Sequence, residues 1–437
     1  MRSTFRALLI RNYRLFAAGS LVSNVGTWMQ RVAQDWMVLQ LTGSGTALGI
    51  TTGLQFLPIL LFSPYAGVIA DRFPKRRVLA VTQSTMGLTA AVLGVLAVTG
   101  LVQTWHVYLL AFVFGLGTAF DAPARQSFVN DLVGRDHVSN AVGLNSASFN
   151  LARVIGPAVA GLLIALLGGG VWATGWVILL NALSYTAVLA SLLRLRVEEM
   201  TPSEPVVRSK GMIKDGLRYV RGRPDIMLIL AIVFTTGTFG LNFQMTTALM
   251  ATDVYGKGAG EYGVLGSIMA VGSLAGSLLA ARRVQPRARL VVGAAVAFAL
   301  VEIVAGLMPT YLTFALVLPL CGLTALTMIT AANAFVQLSV APHVRGRVMA
   351  LYMTIFMGGT PLGAPLLGWV AEAYGSRWTL IGGGLMTLLG TLLATAIFTR
   401  RRGLVLRAHV SPRPHVDVMS RGEYAARREV AVAASAA

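Results

Sequence analysis

Apolar runs of about 20 residues, the length that crosses the hydrocarbon core of a bilayer as a helix, recur along the whole chain. Twelve such runs begin near Leu15, Ala47, Val78, His106, Asn140, Val171, Ile226, Tyr262, Leu290, Tyr311, Val348 and Trp378. A polar segment from Arg194 to Pro224 divides them six and six. The pattern predicts an N-terminal six-helix bundle over 1–193, a linker over 194–224, a second six-helix bundle over 225–400 and a basic, disordered cytoplasmic tail over 401–437. In the linker, Ile213, Leu217 and Val220 share one helical face with Lys214, Arg218 and Arg221 around it, the pattern of an amphipathic helix on an anionic leaflet. The halves also read as weak repeats. NLARVIGPAVAG (Asn150–Gly161) aligns with MGGTPLGAPLLG (Met357–Gly368), setting Gly156 over Gly363 and Gly161 over Gly368. The expected fold class is an all-α membrane protein of twelve transmembrane helices in two six-helix pseudo-repeats.

Composition agrees. Of 437 residues, 55% are hydrophobic and 12% charged, the latter about half the share of a soluble domain, and mean hydropathy is +0.70. A soluble enzyme, a disordered chain and a collagen-like chain are excluded. The net charge of +19 would suggest nucleic acid in a soluble protein, but here the basic residues punctuate the apolar runs. With both termini on one side, 32 of the 36 Lys and Arg fall in the loops of that side, while Lys257 and Arg377 fall opposite. The positive-inside rule makes that side the cytoplasm. The expectation is a multi-pass protein of a bacterial inner membrane, with lipid and a small molecule as partners, no nucleic acid, and a monomeric state. The first apolar run is too long for a signal peptide and reads as an uncleaved helix.

Enzyme chemistry has no anchor in the sequence. No GxxxxGK[ST] phosphate loop occurs, no histidine cluster has metal-ligand spacing, and no GxSxG nucleophile turn is present. No cofactor and no metal are expected. The lone Cys321 permits no internal disulfide.

Two motifs carry a resemblance. Ala66–Leu79 reads AGVIADRFPKRRVL, in which Gly67-x-x-x-Asp71-Arg72-x-Pro74-Lys75-Arg76 resembles the 2–3 loop signature of the major facilitator superfamily, with Pro74 where the family usually has Gly. Arg153-Val-Ile-Gly156-Pro157-x-x-x-Gly161 resembles the superfamily's antiporter motif, in which proline kinks the helix and glycine permits close packing. Thr27-Trp28-Met29-Gln30, Asp121-Ala-Pro-Ala-Arg-Gln126, Asp215-Gly-Leu-Arg-Tyr-Val220 and Arg345-Gly-Arg-Val-Met349 are similar to the enterobactin-exporter-like, transmembrane secretion effector branch of bacterial efflux proteins. By this resemblance, Gly67, Asp71, Arg72, Arg76, Asp121 and Arg125 form a gate at the cytoplasmic side, and Gly156, Pro157 and Gly161 a helix-packing motif. The superfamily's span 4 arginine, associated with proton transfer in drug exporters, is replaced by Ala111.

Ionisable groups inside spans are costly and are functional candidates. Arg31, Asp35, Arg153 and Glu302 are the clear ones and the proton-coupling candidates, with Asp35 foremost and able to pair with Arg31 or Arg153. Glu302 lies on span 9, which the superfamily places in its outer ring, so helix packing or a lipid-facing position competes with coupling. Asn24, Trp28, Arg31 and Asp35 follow i, i+4, i+7, i+11 and share one face. By resemblance, spans 1, 4, 7 and 10 line the cavity. With span 5 they supply the substrate candidates Asn24, Trp28, Asn145, Phe149, Asn242, Thr246, Asn333 and Gln337. The function expected is secondary, proton-driven export of a small amphipathic compound (a drug, siderophore or secondary metabolite) by alternating access. Import of a nutrient and a non-transporting membrane sensor are the alternatives.

Overall fold

The computed structural model describes residues 5–200, 212–281, 287–402, 404–409 and 415–420. A single 3₁₀ turn (Arg6–Leu9) leads into α1 (Arg11–Thr42), α2 (Gly45–Arg72), α3 (Lys75–Val98), α4 (Thr104–Val133), α5 (Val138–Leu166) and α6 (Val171–Leu193). The linker contributes α7 (Met212–Arg221). The next crossing is interrupted: α8 (Pro224–Thr235), a π-helical segment (Thr236–Gly240), α9 (Phe243–Leu249) and a second π-helical segment (Met250–Val254). Then follow α10 (Ala259–Ala281), α11 (Ala288–Leu307), α12 (Tyr311–Ser339), the pair α13 (Pro342–Gly358) and α14 (Thr360–Tyr374) as one crossing, and α15 (Arg377–Arg402).

Eleven of these crossings are long and apolar enough to span a membrane. The twelfth, α1, is 32 residues long but carries Asn24, Arg31 and Asp35 on one side. A helix that buries a polar stripe inside a bundle can afford low hydropathy. Apart from the interrupted crossings and the seam helix α10, which has 23 residues, helix lengths fall into two groups. α1, α2, α4, α5 and α12 have 28 to 32 residues, whereas the peripheral α3, α6, α11 and α15 have 20 to 26.

Packing runs within each half and then across two seams. α1 lies on α5 and α6, α3 on α4 and α6, α10 and α11 on α12, and α15 on α8 and α11. Across the halves, α2 lies along α14 and α5 along α10. Without a hydrophobic drive between helices in lipid, such seams depend on small residues that let backbones approach. A Cβ on Gly161 would meet the backbone of Ala259, Gly260 and Gly263, and one on Gly368 the backbone of Gly45. Gly156 meets Trp28 on α1, and Gly363 meets Thr238 in the first π segment. The aligned glycines of the two halves thus take matching parts. One of each pair packs within its own half, and the other closes a seam.

The ends of the molecule differ. Five of the seven tryptophans, Trp105, Trp172, Trp176, Trp369 and Trp378, are exposed and sit at helix ends on the side where the seams close. The Arg-rich loops sit at the other. α7 does not lie free on a surface: Gly216 approaches Arg347 of α13, and Val220 is buried among Ile226, Val340 and Val344. The tail also departs from expectation. Rather than lacking structure throughout, it pairs β1 (Leu404–His409) with β2 (His415–Ser420) antiparallel, Leu404 opposite Ser420 and His409 opposite His415. Val416 and Val418 alternate after Pro412 and Pro414, and Leu404-Val405-Leu406 precede them, a β-branched and apolar pattern that suits a ribbon.

Candidate functional site

Asp35 stands on α1 at the seam between the halves, 2% exposed. Its Oδ2 accepts a hydrogen bond from Gln244 Nε2 at 2.6 Å and one from the Tyr262 hydroxyl at 2.9 Å. Both donors come from the second bundle, on α9 and α10. Trp36 stacks on Tyr262 with centroids 6.5 Å apart, and its indole Nε1–H is fixed by the Gly169 carbonyl at 2.7 Å. Asp35 therefore staples the closed end of the molecule. The expected pairing with Arg31 or Arg153 is not made: among the described residues its partners are neutral and lie across the seam. One face of α1 does hold Asn24, Trp28, Arg31 and Asp35, but eleven residues along a helix is about 16 Å of rise, enough to carry Asp35 past the cavity.

Arg31 and Arg153 instead gather around one ring. The Arg31 guanidinium carbon lies 4.7 Å from the Trp28 ring centroid and that of Arg153 5.7 Å. Phe149 meets Trp28 edge-on at 5.8 Å, and Phe56 lies 5.8 Å from Arg31. Such cation–π contacts hold a guanidinium without neutralising it. Arg31 Nε has no hydrogen-bond partner. Phe149, though it faces α1, is 48% exposed, so this layer opens on the space between the halves. Asn24 and Asn145 are half-buried near it. On α12, Gln337 Nε2 donates to Asn333 Oδ1 at 2.7 Å, and no described contact joins this pair to the Trp28 layer.

Asn242 and Thr246 do not join this layer. They are 4% and 2% exposed, and Asn242 Nδ2 is turned to the Thr238 carbonyl on its own crossing. The π-helical segment before them shifts the helix phase, so the 3.6-residue periodicity that put them on the cavity face no longer applies. Gln244, on another face, is the residue that reaches across.

The charged groups near the Arg-rich end tie the first bundle to itself. Asp121 pairs with Arg125 at 2.8 Å and accepts from Thr82 Oγ1 at 2.9 Å and Gln83 Nε2 at 2.7 Å on α3. Arg125 Nη1 donates to Ser20 on α1 at 2.9 Å. Lys75 of the loop signature pairs with Asp131 at 2.7 Å, and Arg76 reaches the Leu193 carbonyl at 3.4 Å. Gly67 and Arg72 lie in the last turns of α2. The Asp71 side chain lies outside the described residues. Among the described residues, the bonds of Asp121 and Arg125 stay within the first bundle, where they brace α1, α3 and α4 against one another.

Glu302 is neither lipid-facing nor in the cavity. It is 1% exposed, inside the second bundle, with the positions of Gly240 and Gly383 against its carboxylate and Oε2 without a partner. At the sealed end, Glu372 of α14 accepts from Thr46 Oγ1 at 2.7 Å, from Thr46 N at 3.2 Å and from the Ser44 hydroxyl, latching α2 to α14.

The profile of the transmembrane secretion effector family matches residues 2–417. The multidrug efflux pump Tap of Mycolicibacterium fortuitum is 30% identical over 408 residues, covering 89% of this chain and 95% of that one. The staphyloferrin A transporter of Staphylococcus aureus is 26% identical over 390 residues, 87% of this chain and 94% of that one. Among solved structures, a bacterial homologue of the human lysosomal transporter Spinster, in an inward-facing and occupied conformation, superposes with a TM-score of 0.69 at 16% identity, over 90% of this chain and 97% of that one.

Proposed function

The chain belongs to the transmembrane secretion effector family, and on that premise we propose that this multi-pass transporter exports a small amphipathic organic compound from a bacterial cytoplasm, driven by inward proton flow. The observation that carries this reading is that the described contacts between the halves gather away from the Arg-rich loops, in two glycine seams and the Asp35 staple. Arginine-rich loops belong in the cytoplasm, which puts both termini there and the tryptophan-bearing end outside. The cavity as it stands is then loaded from the cytoplasm. Similarity to efflux pumps over nearly the full length supports the same direction.

Asp35 is the coupling group in this reading. While the outer end is closed, its carboxylate is held by Gln244 and Tyr262. When the bundles rock about the cavity, both donors leave with the second bundle and the group meets outside water, where it takes up a proton. On return, Gln244 and Tyr262 donate again to Asp35 Oδ2, which favours the carboxylate over the acid and drives the proton off toward the cytoplasm-facing space. One chain supplies both bundles and the whole cavity, so the working unit is a monomer.

The test compares metabolites inside cells and in the medium with the gene deleted and restored. Export predicts a compound retained inside on deletion and lost from the medium. A compound left in the medium and depleted inside would reverse the direction and favour import.

A further inference from the structure

We propose that the compound carried is an anion, its acidic group held between Arg31 and Arg153 and its planar part laid against Trp28; this rests on the exporter reading above. Two guanidiniums converge on one indole ring, at 4.7 and 5.7 Å from its centroid, and no described carboxylate bonds to either. The nearby acids are committed elsewhere. Asp35 is bonded to Gln244 and Tyr262, Asp121 to Arg125, Thr82 and Gln83, and Asp131 to Lys75. Glu302 lies within the second bundle.

Two guanidiniums on one ring, partly withdrawn from water, repel each other, and although Asp35 lies one turn from Arg31 and attracts it through space, no described carboxylate is bonded to either, as a desolvated charge requires. An incoming anion removes both costs together. A guanidinium fork matches a carboxylate or phosphate in the plane of its two N–H pairs, and Arg31 Nε–H is still without an acceptor. Gly156 fixes where the ring stands, because a Cβ there would fall 2.5 Å from the Trp28 Cβ. Phe149 and Phe56 border the same ring layer and take the apolar part of the compound. On α12, which the exporter reading sets across the space, Asn333 and Gln337 are neutral amides. A cationic compound would meet two like charges and no described carboxylate free to receive it. An anion also moves outward with an inside-negative membrane potential, which then adds to the proton gradient as a driving force.

Naphthoate, naphthamide and naphthylmethylammonium share one ring system and differ in charge. Titrated calorimetrically into the purified full chain in detergent, naphthoate should bind about tenfold more tightly than the amide, since ionic hydrogen bonds are about twice as strong as neutral ones, and the ammonium should bind least. R31Q and R153Q should each erase the preference, and R153K, which keeps the charge, should retain most of it. Equal binding of the three, no binding of naphthoate, or a preference that survives both neutral variants overturns the proposal. Binding is read here without transport. A naphthoate preference in a protein that expels no compound from cells would sink the export reading and leave the anion site intact, and export without that preference would do the opposite.

Discussion

Replacing Gly161 by alanine tests whether the α5–α10 seam sets the balance between the two access states. An added Cβ would lie 2.5 Å from the Ala259 carbonyl oxygen, 3.0 Å from Gly263 Cα and 3.1 Å from the Gly260 oxygen. All three are backbone atoms and cannot rotate away. Ordinary contact begins at 3.4 Å, so the helices must part by 3.4 − 2.5 = 0.9 Å. A gap of 0.5–1 Å forfeits a quarter to a half of each facing contact, and overpacking of this kind costs about 1–3 kcal/mol. The seam exists only while this end is closed, so the cost falls on one state. At about 1.4 kcal/mol per tenfold, the closed-to-open ratio should drop by about fivefold to somewhat over a hundredfold. Spin labels at Leu167→Cys and Tyr374→Cys, exposed positions on opposite bundles at that end, read the change as a distance distribution. The native Cys321 is buried and escapes labelling. Gly293→Ala, where a Cβ meets nothing within 4 Å, should leave the distribution as it is. If Gly161→Ala also leaves it unchanged in a folded protein, the seam does not set the balance.

Asp35→Asn keeps the shape but loses the ionisable group, so efflux should no longer respond to an imposed pH gradient while the protein still folds; a persisting response in vesicles would remove Asp35 from coupling. Asp121→Asn leaves the part-buried Arg125 without its charge partner, a loss of roughly 3–5 kcal/mol when a buried pair is broken, and thermal unfolding should show it as a clearly lowered midpoint. Glu302→Gln, which relieves a buried acid that lacks a partner at one oxygen, should leave both melting temperature and efflux close to wild type. A strong efflux defect there would return Glu302 to the coupling machinery. Glu372→Gln weakens the latch to Ser44 and Thr46 by about 1 kcal/mol, the carboxylate being solvent-exposed, and should raise labelling of a cysteine placed at the buried Ala47.

What the sequence made legible is uneven, for physical reasons. Apolar run length gives helices directly, because the bilayer sets one length scale. The ion pair of Asp121 and Arg125 at 2.8 Å is of the kind that spacing can announce, since neighbours one turn apart on a helix need no tertiary information, whereas the gate the resemblance implied for them depends on the opposite bundle. The stripe on α1 told which face of that helix is polar, but not the depth at which the opposite bundle closes on it. That depth separates Asp35, held in the seam, from Arg31 in the cavity. Gln244 and Tyr262 lie more than 200 residues from Asp35, and no local spacing announces them. Asn242 and Thr246 were misplaced because π-helical turns break the period on which facing was judged. The five exposed tryptophans at one end were a readable signal of the interface, since each stands at the border of an apolar run.

The two groups of helix length have a further consequence. At 1.5 Å per residue, the 20 residues of α11 span about 30 Å, the thickness of the hydrocarbon core, while α1, at 32 residues, spans about 48 Å. Hydrophobic mismatch is therefore felt by the short peripheral helices and by the seam helix α10, at 23 residues, while the long α1, α2, α4, α5 and α12 extend into the headgroup regions whatever the lipid. Lipids of unusual chain length will tilt or strain α11 and α6 at a modest cost per ångström. They reach the rocking motion directly only through α10, and otherwise through the helices packed against that outer ring.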